Sequence, residues 1–241
     1  MVAMSSEPFT RSPTIVAIET STELASVAVL HGGRVLSRES SGAQTHSASV
    51  LPMLQALLKE AGIALADCDA LAYGCGPGSF TGVRTACGLV QGLAVGAQRK
   101  VVPVVTLLAM AEAARNAGAG DDVVAVLDAR MGEVYSARYR HDGEWRVVSE
   151  PVLAKAGEVV VGDAAAICGN GLVAYADAFT QVGDAVRFPD IMPHAASVAR
   201  LAVNAVARGE LLDARDAQPL YLRNKVALTT RERMAAAGAA A

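Results

Sequence analysis

The side chains that could bind a metal or act as nucleophiles are scattered along this 241-residue chain. No histidine lies three or four residues from another, as paired metal ligands on one helix do: the four are His31, His46, His141 and His194. The cysteines form no Cys-x-x-Cys pair and are expected to be reduced and mostly buried: they are Cys68, Cys75, Cys87 and Cys168. No Gly-x-Ser-x-Gly nucleophile elbow is present. These patterns predict neither a metal site nor a catalytic residue.

Two acidic residues are better placed for chemistry, because each ends the first strand of a repeated hydrophobic pattern. These are Glu19 and Asp128. In duplicated actin-like ATPases, acids near such positions help to bind magnesium and phosphate. The residues that follow here, Thr20-Ser21-Thr22 and Ala129-Arg130-Met131-Gly132, do not form the acid-Gly-Gly-Thr type of phosphate loop. Asp128 could instead pair with Arg130, so the two acids do not complete an active site.

A glycine-rich turn lies between a predicted strand and a predicted helix, in the segment GCGPGSFTGVR from Gly74 to Arg84. Because helix N-termini bind anions, the turn is a candidate nucleotide or anion contact, through Gly78, Ser79, Thr81 and Gly82. It lacks the lysine of a P-loop, and Ser79 stands where the dinucleotide fingerprint needs its third glycine. The alternative is a tight turn that reverses the chain and caps the helix with Ser79 or Thr81.

The helix after this turn contains glycines that lower its intrinsic stability by about 1 kcal/mol each. Gly88, Gly92 and Gly96 recur every four residues, so they form one smooth stripe that lets another backbone approach closely. Val83 and Cys87 add apolar surface on a neighbouring face. The residues alone favour packing within the chain, against its own sheet or the helix at 47–61, over a partner. That helix has apolar residues on more than one face: they include Val50, Leu51, Leu54, Leu57 and Leu58.

The hydrophobic pattern restarts half-way along the chain, which indicates an internal duplication of α/β type. In each half a three-stranded meander is followed by alternating helices and strands; the meanders are predicted at 14–19, 25–30 and 35–39, and at 123–128, 133–139 and 145–149. Glycine-containing hairpin turns lie at His31–Arg34 and His141–Glu144. The predicted organisation is a flexible tail (1–13), an N-terminal half (14–118), a C-terminal half (119–228) and a second flexible tail (229–241).

The composition limits the classes of partner. Hydrophobic residues make up 52% and charged residues 19% of the chain, enough apolar surface for a large core. The formal net charge of −3 argues against a chain that holds nucleic acid alone, because phosphate contacts need clustered Lys and Arg. Neither a signal peptide nor an apolar run of about 18 residues is present, so the cytoplasm is expected and a membrane is not.

Five segments together resemble the TsaB (YeaZ) family, a bacterial subunit of the machinery that makes threonylcarbamoyladenosine in tRNA. They are IVAIETSTELASVAVL, HSASVLPMLQALLKEAG, YGCGPGSFTGVRTACGLVQGLA, VVAVLDARMGEVYSARY and PLYLRNKVA, from about Ile15 to Ala227. The resemblance implies a duplicated actin-like fold of the ASKHA (RNase H-like) class, with a mixed five-stranded sheet and flanking helices in each half. It also implies loss of the HxxxH metal motif of the catalytic relative TsaD, because Thr106 and Met110 stand at the corresponding positions.

The resemblance further implies a non-catalytic subunit that pairs with a TsaD-like protein through the helices at 47–61 and 79–96. It supports binding of a TsaE-like ATPase, and forms a homodimer through the same surface when alone. The chain alone is then expected to bind no cofactor, ATP being used by the complex, and to meet tRNA only indirectly. With this family in mind, the interface assignment of the glycine stripe is preferred over internal packing. The alternative function is an ATP-dependent small-molecule kinase of the same fold class; a metalloprotease is disfavoured by the missing HxxxH.

Overall fold

Two mixed five-stranded sheets form the framework of the computed structural model, which describes residues 12–41, 46–180 and 182–223. The first sheet has the order β3-β2-β1-β4-β5 and the second has the order β8-β7-β6-β9-β10. The two orders are equivalent, which confirms the predicted duplication and the sheet type expected of an actin-like fold. The predicted tails lie almost wholly outside the described residues.

The first sheet is built around β1 (Ile15–Glu19), whose five residues are all buried. A run without polar alternation suits a central strand covered on both faces. β2 (Leu24–His31) and β3 (Arg34–Ser41) continue it as an antiparallel meander, and β4 (Ala70–Gly76) and β5 (Lys100–Val105) add parallel strands on its other side. Gly32 and Gly33 supply the positive φ angles of the β2–β3 turn.

The second sheet repeats the pattern around β6 (Asp122–Asp128). Its antiparallel strands are β7 (Glu133–His141) and β8 (Trp145–Lys155), and its parallel strands are β9 (Ala166–Cys168) and β10 (Val186–Phe188). β10 was not predicted, because three residues between loops leave no readable alternation.

Two long helices cover one face of the first sheet: α1 (His46–Ala61) and α2 (Phe80–Ala97). The Ser79 side chain caps α2 by accepting a hydrogen bond from the Gly82 N–H, which confirms one of the two predicted caps. In the second half, only a 3-10 turn (Ala156–Glu158) lies between β8 and β9, and the four-residue α4 (Gly171–Ala174) and a 3-10 turn (Ala176–Phe179) follow β9. Within the described residues, a pair of long helices side by side on a sheet face therefore occurs in the first half alone.

The remaining helices, α3 (Thr106–Asn116) and α5 (Ala195–Arg208), cross between the halves. α3 follows the last strand of the first sheet but packs against the second, where Leu107, Met110 and Ala114 join its core. α5 follows the second sheet but buries Val198 and Ala202 against the first. The proposed boundary at residue 118 stays a prediction. It divides the strands into the two sheets, but it assigns α3 and α5 each to the half opposite the sheet on which the helix packs. No helix in the described part of the chain is long and apolar enough to span a membrane.

Candidate functional site

One row of side chains along α2 is exposed from the first turn to the last. It consists of residues spaced four apart, Phe80, Arg84, Gly88, Gly92 and Gly96, so neighbouring members are adjacent on the helix surface and the row winds gradually around α2. Among the residues that the structure describes, a Cβ atom built on any of the three glycines would meet nothing within 4 Å. The expectation from the residues alone, that the stripe packs inside the chain, is therefore wrong. The glycines lie on an open surface.

Half of the predicted interface residues do not reach that surface. Five of them have buried side chains with at most 4% of their area exposed: Val50, Leu54, Leu57, Val83 and Cys87. All but Val83 belong to the core between α1, α2 and the first sheet. They occupy the sheet-facing sides of the two helices, so their assignment as partner contacts is corrected here. Leu51 is 39% exposed and Leu58 is half-buried. Val95, which the sequence analysis missed, is 69% exposed one residue before Gly96.

The glycine-rich turn is pressed against the loop that follows β1. A Cβ on Gly82 would lie 1.9 Å from the Thr20 carbonyl oxygen, and one on Gly78 would lie 2.5 Å from the Ser21 carbonyl oxygen. The Ser79 N–H donates to the Ser21 carbonyl at 2.7 Å, and the Gly82 N–H donates to the Ser79 Oγ. These glycines serve a close approach of two backbones.

That contact limits the predicted anion contact. The N–H groups of Ser79 and Gly82 already have partners, and Gly82 is buried. Gly78 and Ser79 line the cleft between the halves, whereas Thr81 is exposed beside it. Thr81 and Gly82 do not contribute to the wall of the cleft, so only two of the four predicted residues could meet a ligand there.

Glu19 lies beneath this contact and is completely buried. Its Oε1 accepts a hydrogen bond from the Ser21 N–H at 2.6 Å, and its Oε2 accepts one from the Thr106 hydroxyl at 3.4 Å. Burial raises the pKa of the Glu19 carboxyl, with hydrogen bonds opposing the shift. Gly74 is required beside it, because a Cβ there would lie 1.7 Å from Oε2. Glu19 is thus a structural acid that does not face the cleft.

Thr106 and Met110, the positions at which the resemblance implies the loss of two metal-binding histidines, are both fully buried. The Thr106 hydroxyl also accepts a hydrogen bond from the Gly76 N–H at 3.2 Å, and Met110 belongs to the core beneath the second sheet. Within the described residues, no group of three or more His, Cys, Asp or Glu side chains could hold a metal ion. All four cysteines are buried, and burial raises the pKa of Cys75 and Cys168 to about 12.

A cleft of about 530 Å³ separates the two halves. Asp128 lines it, with 6% of its side chain exposed. Its Oδ1 accepts hydrogen bonds from the Arg130 N–H and the Tyr175 hydroxyl, and its Oδ2 lies 3.0 Å from the Arg130 Nη1. The ion pair between Asp128 and Arg130 is therefore present. Arg130 and Met131 both have positive φ angles, and Met131 is 72% exposed at the rim.

A strap formed by residues 217–223 crosses from one half to the other beside this cleft. On the first half, the Leu220 N–H donates to the Cys75 carbonyl at 2.7 Å, and the Gln218 N–H donates to the Tyr73 hydroxyl. On the second half, the Arg223 guanidinium lies 2.7 Å from the Glu133 carboxylate and donates to the Ala129 carbonyl. Residues 219–223 of the strap belong to the PLYLRNKVA segment, to which the sequence pattern assigned no structural role.

The chain is similar in sequence to proteins that are named for the synthesis of threonylcarbamoyladenosine in tRNA. A family model described as TsaD, tRNA N6-adenosine threonylcarbamoyltransferase, matches residues 39–200. The chain is 38% identical over 227 residues to the tRNA threonylcarbamoyladenosine biosynthesis protein TsaB of Escherichia coli K12, covering 88% of this chain and 96% of that protein. It is 39% identical to the TsaB of Haemophilus influenzae, covering 88% and 94%. A solved structure of YeaZ from Pseudomonas aeruginosa superposes with a TM-score of 0.80 at 41% identity, over 87% of this chain and all of that one.

Proposed function

The chain belongs to the TsaB family of tRNA threonylcarbamoyladenosine biosynthesis proteins, and on that premise we propose that it is the non-catalytic docking subunit of the modifying complex. It pairs through α1 and α2 with a TsaD-like catalytic subunit, which transfers the threonylcarbamoyl group to N6 of a tRNA adenosine. The pair then supports binding of a TsaE-like ATPase. In the absence of the catalytic subunit, the same surface forms a homodimer.

The exposed glycine row is the observation that carries this proposal. Gly88, Gly92 and Gly96 together lower the intrinsic stability of α2 by about 3 kcal/mol relative to alanine. Nothing in the described chain lies close enough to require the absence of a side chain at these positions. A partner helix packed against the row would explain why glycine stands at these positions, because residues with small or no side chains allow two backbones to approach closely. The exposed Leu51 and Val95 would add apolar contact area.

The environment of the chemically capable residues supports a non-catalytic role. Thr106 and Met110 are part of the core, and Glu19 is sealed beneath the glycine turn. Burial raises the pKa of the Cys75 thiol to about 12, so the nucleophilic thiolate is scarce at neutral pH. On this proposal the chain binds no metal or cofactor of its own. ATP is consumed by the complex, and tRNA is held chiefly by other subunits, consistent with the net charge of −3.

Reconstitution tests the proposal. The purified chain alone should form no threonylcarbamoyladenosine on tRNA, whereas TsaD-like and TsaE-like subunits should require it for activity. Gly92→Leu should abolish both pairing and activation, because its side chain would hold the partner away from the row. Gly157→Leu is the matched control, since Gly157 is also exposed with open space around it but lies in the second half. Modification of tRNA by the isolated chain would refute the non-catalytic role.

The cleft keeps one alternative open, an ATP-dependent small-molecule kinase. Its volume of about 530 Å³ is within the range of small-molecule sites. The engagement of Asp128 by Arg130 and Tyr175 argues against it, because a magnesium-binding acid needs free oxygen atoms. Calorimetric titration of the isolated chain with Mg-ATP distinguishes the kinase from the non-catalytic docking subunit. Tight binding together with phosphoryl transfer to a sugar or other small alcohol would favour the kinase.

A further inference from the structure

The exposed row of α2 does not consist of glycine alone: its N-terminal end carries a cluster formed by Phe80, Arg84 and Tyr221. The guanidinium carbon of Arg84 lies 3.7 Å from the centroid of the Phe80 ring, and the two aromatic rings are 5.6 Å apart. Phe80 is 38% exposed and Tyr221 is 41% exposed. Aromatic and arginine side chains are the residue types in which protein interfaces concentrate binding energy. This cluster lies at the N-terminal end of α2, one turn before Gly88, and Phe80 and Tyr221 also line the cleft between the halves.

The Arg84 guanidinium is held in place before any partner binds. Its Nε donates a hydrogen bond to the Tyr221 hydroxyl at 2.6 Å. Tyr221 belongs to the strap, and the neighbouring Leu220 is tied to the Cys75 carbonyl. Within the described residues, the two Nη groups of Arg84 make no hydrogen bond, so the forked end of the guanidinium remains available. A fixed fork of this kind suits a carboxylate, which it can bind through two parallel hydrogen bonds.

A second copy of this chain is poorly suited to supply that carboxylate from its own α2. From Phe80 to Lys100 the sequence contains no acidic residue. In an antiparallel pairing of two α2 helices about Gly92, Arg84 of one copy would face the end of the other helix. That end carries Arg99 and Lys100, so the charges there would be alike.

We infer that Arg84, held by Phe80 and Tyr221, determines partner specificity by binding an acidic side chain on a helix of a non-identical partner. The inference rests on the proposed function, whose TsaD-like subunit is that partner. Packing along the glycine row would be shared by both pairings, whereas a homodimer paired through α2 offers Arg84 no acidic side chain from that helix. The cluster therefore favours the heterodimer over the homodimer.

Dissociation constants of both pairings, measured with the full chain, test the inference. Arg84→Gln should weaken binding to the TsaD-like subunit about thirtyfold, as loss of an anchoring residue does. Tyr221→Phe should weaken it about fivefold, because it removes the hydrogen bond that orients the guanidinium. Arg200→Gln is the matched control, an exposed arginine on α5 away from the row, and should change binding less than about twofold. Self-association of Arg84→Gln, measured by sedimentation, should stay the same or become tighter.

Ionic strength supplies an independent readout. Raising NaCl should weaken wild-type heterodimer formation more than that of Arg84→Gln, because the variant lacks the charge pair. Circular dichroism must show that every variant is folded. If Arg84→Gln binds the TsaD-like subunit as tightly as wild type while Gly92→Leu does not bind, the inference is overturned and the proposed function stands. Equal weakening of both pairings by Arg84→Gln also overturns it. If the wild-type chain fails to bind the subunit, the proposed function itself fails.

Discussion

Replacing glycines of the exposed row by alanine should make the isolated chain more stable and, at the same time, a poorer partner. Gly88 and Gly92 are helical, exposed and without neighbours within 4 Å of a built Cβ atom. Alanine at both positions should therefore recover about 2 kcal/mol of helix propensity with no clash. For a chain of this size, that gain corresponds to a rise in Tm of roughly 4–8 °C.

The same two methyl groups should oppose pairing. A helix packed closely on the row would have to move outward or repack, which costs about 1–3 kcal/mol and weakens binding roughly fivefold to 150-fold. A gain in stability together with a loss of binding would distinguish an interface from a structural site. Substitution of a residue needed for folding would instead lower both the stability of the chain and its affinity for the partner.

Differential scanning calorimetry measures the first effect, at a concentration where sedimentation shows a monomer, because dissociation of a dimer would otherwise lower the apparent Tm. Calorimetric titration with the TsaD-like subunit measures the second. Gly157→Ala provides the control for exposed glycine in the second half. A double variant that is less stable than wild type would show that the row is covered within the chain. A more stable variant that binds normally would place the interface elsewhere.

Three further predictions concern the interior. Gly82→Ala should destabilise the chain by about 3 kcal/mol or prevent folding, as seen by urea unfolding, because its Cβ would lie 1.9 Å from the Thr20 carbonyl; a stable variant would contradict the close approach. Because burial raises the pKa of Glu19, its contribution to stability is greatest below its ordinary pKa and is lost as pH rises through the raised value. Glu19→Gln should accordingly flatten the decline in unfolding free energy that begins as pH rises above the ordinary pKa of a glutamate carboxyl, and an unchanged pH profile would refute the assignment. The raised pKa values of Cys75 and Cys168, each about 12, predict that a disulfide reagent modifies these thiols in urea but not in the native chain.

Local pattern was sufficient for most of the architecture. The apolar run of β1 and the hairpin glycines predicted the first meander, and the restart at Val123 predicted the second. Ser79 was among the predicted caps of α2 because a serine between a turn and an apolar run is a local signal. Strands, hairpin turns and helix caps depend on residues that are close together in the sequence, so a single sequence is enough to predict them. The crossing of α3 and α5 depends instead on which sheet face each amphipathic helix finds, and sequence order does not encode that choice.

The candidate surface was predictable in outline but not residue by residue. Spacing placed Gly88, Gly92 and Gly96 in one row, yet only the structure shows that no part of the described chain lies within 4 Å of a Cβ atom built there. Leu51 and Leu54 are equally apolar in the sequence, but one is 39% exposed and the other 2%. Their exposed fractions differ because the sheet contacts only one side of α1.

The glycine turn was open to two interpretations for a related reason. Gly78 and Gly82 contact a backbone about 60 residues away in the chain, at Thr20 and Ser21. No local pattern reports such a contact, so phosphate binding and close packing could not be separated by sequence alone.

The exchange of α3 and α5 makes the two halves inseparable. A fragment ending near residue 118 would keep the first sheet but lose α5, leaving the face around Ala17 and Ala72 open to water. A fragment beginning there would lack α3 and expose the opposite layer around Ala125. Neither half is therefore expected to be a self-sufficient folding unit, and the duplicated molecule should unfold in a single cooperative transition. α1 and α2 therefore lie on a sheet whose opposite face is covered by a helix from the second half.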